Sequence, residues 1–172
     1  VTIGDSVTTI GDGAFLSSSS LQEFKGKFAS DNGRCLIVNG TLNSFAPAGL
    51  TEFIIPDSVT TIGDSAFRFC SSLTSVTIPD SVTTIGIYAF HACSSLTSVT
   101  IGDSVTTIGN HAFSSCESLT SVTIPDSVTN IEDSAFSYCP SLTSVYCKAT
   151  TPPTGGSNMF YNNASGRKIY VP

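Results

Sequence analysis

Ile55-Pro-Asp-Ser-Val-Thr-Thr-Ile-Gly-Asp-Ser-Ala-Phe-Arg-Phe-Cys-Ser-Ser-Leu-Thr-Ser-Val-Thr77 is the stretch that decides the fold. It returns with small changes from Ile78, Ile101 and Ile124, each start 23 residues after the last. A fixed period of this length is the mark of a solenoid, in which each repeat is one coil stacked on its neighbours.

Inside the unit, neither a helical nor a strand period fits all the apolar positions Val59, Ile62, Ala66, Phe67, Cys70, Leu73, Val76 and Ile78. The coil must therefore change structure along its length. Leu73 to Ile78 is β-branched and alternating at its end, and reads as a strand with Leu73, Val76 and Ile78 turned inward. Pro79 ends it, having no N–H for a ladder. Asp80 and Ser81 make a turn, and Val82 to Ile85 is a second short extended piece. Gly63-Asp64-Ser65-Ala66-Phe67 places Asp64 where an N-cap belongs, which predicts a short helical turn burying Ala66 and Phe67. A single coil has too little apolar surface to stand alone, so stability has to come from stacking.

LTSVTIPDSVTTIGDSAF, almost verbatim several times over, resembles the BspA-like leucine-rich repeats of bacterial and protist surface proteins. The resemblance implies an α/β repeat fold, mostly β: a right-handed leucine-rich-repeat solenoid with a parallel β-sheet face, short second strands and short helical turns. It also implies a cell-surface or secreted protein that adheres to host matrix proteins or other cells.

The 172 residues read as one solenoid domain: regular coils over 1–25 and 50–146, an irregular coil over 26–49 and a cap-like terminal repeat over 147–172. Val1-Thr2-Ile3 begins in mid-strand, which reads as a piece of a longer chain. Between Leu21 and Leu50 the period stretches to 29 residues and the Ala-Phe pair disappears. Asp31-Asn32-Gly33 marks a turn there, and Asn39-Gly40 between two apolar runs predicts a β-hairpin in place of the helical corner. A binding loop is the alternative reading of this insertion. After Cys147 a Pro- and Gly-rich stretch departs from the repeat, until Lys168-Ile169-Tyr170 supplies one more strand.

Net charge of −6 and a pI near 4.5 argue against nucleic acid or an anionic membrane as partner. No stretch is long and apolar enough for membrane insertion. Of six cysteines, Cys70, Cys93, Cys116 and Cys139 share one phase that Ser18 fills in the first coil, so they read as a ladder of reduced core thiols.

Several constellations could carry chemistry. No nucleophile elbow, phosphate loop or zinc spacing is present, so no enzyme and no cofactor are expected. His91 and His111 lie in adjacent coils at different phases and read as solvent-exposed substitutions, not ligands. The column Asp5, Asp57, Asp80, Asp103 and Asp126 suggests either calcium or turn carboxylates that accept local backbone donors; the flanking residues supply few of the oxygens calcium needs. Asn39 and Asn163 open glycosylation sequons.

Two surfaces qualify as binding sites. Where scaffold positions repeat, the residues that vary are those the fold leaves free: Arg68, Phe69, Tyr88, His91, His111, Glu117 and Tyr138, all around the corner, which suit a protein-binding patch. The strand face carries Thr74, Ser75, Thr77, Thr97, Ser98, Thr100, Thr120, Ser121 and Thr123, with Tyr146 at one end, a flat hydroxyl array suited to glycan, protein or ice. The function these readings support is a non-catalytic adhesion module for protein or glycan on a host or neighbouring cell. The alternative is a structural spacer in a larger surface protein.

Overall fold

In the computed structural model, which describes residues 1–172, fifteen short strands and no helix make up the chain. They are β1 (Thr2–Ile3), β2 (Lys25–Gly26), β3 (Cys35–Val38), β4 (Thr41–Phe45), β5 (Glu52–Ile54), β6 (Thr61–Ile62), β7 (Ser75–Thr77), β8 (Thr84–Ile85), β9 (Ser98–Thr100), β10 (Thr107–Ile108), β11 (Ser121–Ile124), β12 (Asn130–Ile131), β13 (Ser144–Cys147), β14 (Thr154–Gly155) and β15 (Lys168–Tyr170). Register follows the sequence period. Ser75 pairs with Ser98 and Thr84 with Thr107, each 23 residues on, in parallel.

The second short strands stack into one sheet of seven, in the order β14-β12-β10-β8-β6-β4-β3, parallel except for the final β4-β3 hairpin. The long face is less continuous than the repeat predicts. It divides into β1-β2, β5-β7-β9 and β11-β13-β15, with no pairing between β9 and β11. Leu73, Val76 and Ile78 are buried as expected, and a single core of 35 buried residues runs from Cys35 to Val145.

The expected helical turn is absent, and the hydrogen bonds explain why. At the corner, alternate N–H groups leave the coil: those of Ser65, Phe67 and Phe69 donate to the carbonyls of Ile87, Ala89 and His91 in the next coil. The groups between them, on Ala66, Arg68 and Cys70, donate back three residues, to Gly63, Ser65 and Phe67. With half the donors committed along the solenoid axis, no i→i−4 ladder can form. The pattern recurs from Tyr88, Phe90 and Ala92, from His111, Phe113 and Ser115, and from Ser134, Phe136 and Tyr138, with all these bonds between 2.7 and 3.0 Å.

Asp64 is accordingly not an N-cap. Its Oδ1 accepts the Ile87 N–H of the next coil at 2.7 Å, as Asn110 does for Asp133 and Asp133 for Ser157. Ile87 occupies the same phase without an acceptor, and there Glu132 Oε2 takes the Asn110 N–H at 3.0 Å instead.

The corner phenylalanines form a column through the core. Phe67, Phe90, Phe113, Phe136 and Phe160 stack face to face with centroids 4.8 to 5.6 Å apart, and Phe45 of the irregular coil extends the column at 4.7 Å from Phe67. Beside it run the cysteines, all free. The thiols of Cys93, Cys116 and Cys139 donate to the carbonyls of Phe67, Phe90 and Phe113 at 3.1 to 3.3 Å. Burial pushes the Cys70 and Cys139 thiols up to about 12, with no partner charge to favour the thiolate.

The hairpin predicted at Asn39-Gly40 is present. Both residues have positive φ, 50° and 78°, the conformation a two-residue hairpin turn requires, and β3 pairs antiparallel with β4. Ala29 bridges Leu36, so the insertion is a small meander that replaces the corner of the second coil. The first coil packs on it as a separate cluster of Ile3, Phe24, Leu36 and Ala46. In the terminal coil, β15 is exposed at all three positions.

Candidate binding edge

The corner residues that vary between repeats come together in space as one cluster. The guanidinium of Arg68 lies 4.8 Å from the ring centroids of both Phe69 and Tyr88. Tyr88 stacks on His111 at 4.9 Å with the rings within 5° of parallel. His91 meets Tyr88 and Phe69 edge-on at 5.3 and 5.8 Å. Five residues of three coils thus form a contiguous aromatic and cationic edge on a chain of net charge −6.

Backbone conformation shows that the fold does not select these side chains. Tyr88 and His111 have φ of 55° and 54°, and Phe69 and Tyr138 have 63° and 55°. Serine holds the same two phases at Ser65, Ser134 and Ser115, and alanine at Ala92. The left-handed region costs conformational energy at every residue with a β-carbon, so the backbone offers no reason for a large ring at Phe69 or Tyr88.

His91 and His111 are half-buried in this cluster, not free in solvent as expected. Burial, then the positive charge of Arg68 and the neighbouring His111, hold the His91 imidazole below its ordinary value. Arg68 and His91 share a phase with the buried Ser114 and Ser137, which bond to each other at 3.1 Å. Two large polar side chains therefore occupy a column built for small ones, and Arg68 Nε and His91 Nδ1 are left buried without a partner. That phase relationship was visible in the repeat and was overlooked.

The other predicted patch members lie apart. Tyr138 is 49% exposed and packs edge-on against Tyr161, 56% exposed, forming a second aromatic pair further along the same edge. Tyr161 was missed, although it follows Tyr138 by the repeat length. Glu117 is exposed and joins no ion pair or hydrogen bond.

On the strand face, Thr74 and Thr97 are already engaged. Their hydroxyls donate to the carbonyls of Thr51 and Thr74 in the preceding coil at 3.0 and 2.9 Å. Ser75, Thr77, Ser98, Thr100, Thr120, Ser121 and Thr123 make no side-chain hydrogen bond within the chain. The backbone ladder beneath this array is interrupted between β9 and β11. Tyr146 stacks on Tyr170 at 4.7 Å.

In the aspartate column only Asp80 accepts a backbone donor. Asp80 Oδ1 accepts the Asp103 N–H across coils at 2.7 Å rather than a donor of its own turn, and Asp103 meets Lys148 at 3.4 Å. No three His, Cys, Asp or Glu side chains converge as a metal site. Asn39 stands exposed at the hairpin tip, whereas Asn163 Oδ1 accepts the Cys139 N–H at 3.0 Å.

Parallel coils of 23 residues, tied corner to corner and face to face, define a β-rich leucine-rich-repeat solenoid. The chain belongs to the BspA type leucine rich repeat family, whose model matches six copies over residues 41–170. It is similar to a leucine rich cell surface protein from Faecalibacterium prausnitzii A2-165, with 29% identity, a TM-score of 0.84, and coverage of 99% of this chain and 47% of that one. The pneumococcal vaccine antigen PcpA shares the fold at 19% identity and a TM-score of 0.78, covering 99% and 50%. A leucine-rich repeat protein from Bacteroides capillosus is 34% identical over 63% of this chain and 86% of its own, with a TM-score of 0.56. The chain thus spans about half the length of the first two. No functionally curated protein matches the sequence. No helix is long and apolar enough to cross a membrane.

Proposed function

We propose that this chain is a non-catalytic binding module of a cell-surface or secreted protein, and that it contacts protein or glycan on a host or neighbouring cell through its corner edge. The observation that carries the reading is the Arg68, Phe69, Tyr88, His91 and His111 cluster, built at positions where other coils carry serine or alanine. Arginine and aromatic side chains on a rigid support are the residues that dominate interface energies, because they bring large contact area with little conformational freedom to lose. The similarity to a leucine rich cell surface protein supports the location. A spacer role in a longer surface protein is the competing reading, and it gives no reason for aromatic side chains where serine or alanine serves in other coils.

The test is binding of the soluble chain to an array of extracellular-matrix proteins and glycans. Beside it runs a levelled variant with serine at Phe69, Tyr88 and His111 and glutamine at Arg68 and His91. Specific binding that falls at least tenfold in the variant supports the corner edge. Equal binding by both proteins refutes the site, and no binding by either favours the spacer.

A further inference from the structure

Replacing one corner by a hairpin leaves a gap in the axial hydrogen-bond ladder. At each regular corner interface, three alternating N–H groups meet three carbonyls of the next coil. By sequence alignment of the coils, Gly13, Phe15 and Ser17 correspond to Ser65, Phe67 and Phe69. Their N–H groups should therefore donate onward, but the next coil has no corner and they make no hydrogen bond within the chain. Facing them, the carbonyls of Asp64, Ala66 and Arg68, the counterparts of Ile87, Ala89 and His91, receive none. One rung is missing, and its donors and acceptors are both in place.

The gap is a seam between the first and third corners, with β4 and the residues after it as its floor. It is narrow at one end, where a β-carbon on Gly13 would lie 4.0 Å from Cβ of Ser65. From there a tight crevice of about 20 Å³, room for about one water, leads past Phe15 and Arg68 into a wider groove of about 380 Å³ along Ser19, Pro47 and Ser71, so a chain enters only when the first corner swings outward. Ser44, only 3% exposed, lines the crevice with its hydroxyl unpartnered, as are Asn43 Oδ1 and Arg68 Nε. Leu16 and Phe69, each 39% exposed, stand on opposite rims. Phe15 packs on the smaller hydrophobic cluster and Phe67 belongs to the larger, so the two corners do not share one core.

We infer that this seam binds an extended peptide segment of a partner protein, which takes the place of the missing corner. The peptide's carbonyls accept the Phe15 and Ser17 N–H groups, and its N–H groups donate to the Ala66 and Arg68 carbonyls. Rows of main-chain donors and acceptors recognise a backbone regardless of sequence, while rim contacts with Leu16 and Phe69 select side chains. The site stands beside the Tyr88 and His111 edge and shares Arg68 and Phe69 with it.

The probe is a fluorescent synthetic peptide copying residues 61–72 of this chain with serine for Cys70, since that sequence forms the corner the seam lacks. Saturable binding is expected, with the amides of Phe15 and Ser17 gaining protection from hydrogen exchange. In the Gly13→Cys/Ser65→Cys variant the β-carbons lie within disulfide range, so oxidation locks the narrow end shut. Affinity should fall at least tenfold on oxidation and return on reduction. A peptide carrying N-methyl groups at alternate residues should bind at least tenfold more weakly. No saturable binding, or binding unchanged by the lock, overturns the inference. So does protection confined to Phe160 and Asn162, which would place the peptide on the open end of the stack. If the double variant fails to fold, the exchange measurement on the unmodified chain decides alone.

Discussion

Phe113 sits at the centre of the stacked column, fully buried, with Phe90 5.0 Å below it and Phe136 5.2 Å above, both within 3° of parallel. Truncation to alanine removes the transfer energy of one phenyl ring, ~1.5–3 kcal/mol. It also removes two ring-ring contacts at ~0.5–1.5 kcal/mol each, so the total is about 4 kcal/mol. That agrees with the ~3–5 kcal/mol typical of Phe→Ala in a core that cannot collapse onto the cavity. Collapse is resisted here because the coils on either side are held at fixed spacing by the corner N–H bonds of Phe90 and Phe113. Phe15 is the internal control, since it is half-buried and has one ring partner, Phe24, edge-on at 5.0 Å. Phe15→Ala should cost roughly 1–2 kcal/mol because less area is lost and one face already meets solvent. Urea unfolding followed by circular dichroism measures both, with hydrogen exchange to show whether the coils on either side of Phe113 open together. A loss below about 2 kcal/mol for Phe113→Ala, or one no greater than for Phe15→Ala, would refute the view that the column unifies the core.

Three further outcomes follow from the same geometry. Native protein should react with a thiol reagent at Cys147 alone, and all six cysteines should react in denaturant, because five thiols are buried and Cys147 is partly exposed; mass spectrometry of the labelled chain reads the count. Asp64→Ala should cost about 1 kcal/mol by freeing the Ile87 N–H, whereas Asp57→Ala, whose side chain holds no hydrogen bond, should change the melting temperature little. For His91 the folded pKa is lowered, so the unfolded chain binds the proton more readily and stability falls as pH drops through the ordinary imidazole value near 6.5. Melting temperatures between pH 7.5 and 5 should therefore decline less in His91→Gln than in the parent, and equal declines would contradict the assignment.

Much of this protein is legible in one repeat. The 23-residue spacing gave the parallel register, alternation from Leu73 to Ile78 gave the inward face, and Asn39-Gly40 gave the hairpin, because each rests on local chemistry or on exact recurrence. The helical turn was misread for a physical reason. Asp64 followed by Ala66 and Phe67 has the local signature of a capped helix, but the N–H groups of Ser65 and Phe67 find carbonyls in the neighbouring coil, and a bond between coils leaves no trace in local sequence. The same limit applies to the candidate sites. Repeat comparison picked out Arg68, Phe69, Tyr88, His91 and His111 as residues the scaffold does not require, yet only stacking of three coils brings their rings to within 6 Å of one another. It also could not show that Thr74 and Thr97 commit their hydroxyls to the coil before, or that β9 and β11 form no ladder.

The period, the buried side chains and the place where a corner is lost follow from spacing and residue type along the chain. Tertiary structure alone decided what that loss leaves behind. Only when coils stack does a missing corner become a row of idle N–H groups on Phe15 and Ser17 opposite idle carbonyls on Ala66 and Arg68, because hydrogen bonds along the solenoid axis join residues far apart in the chain.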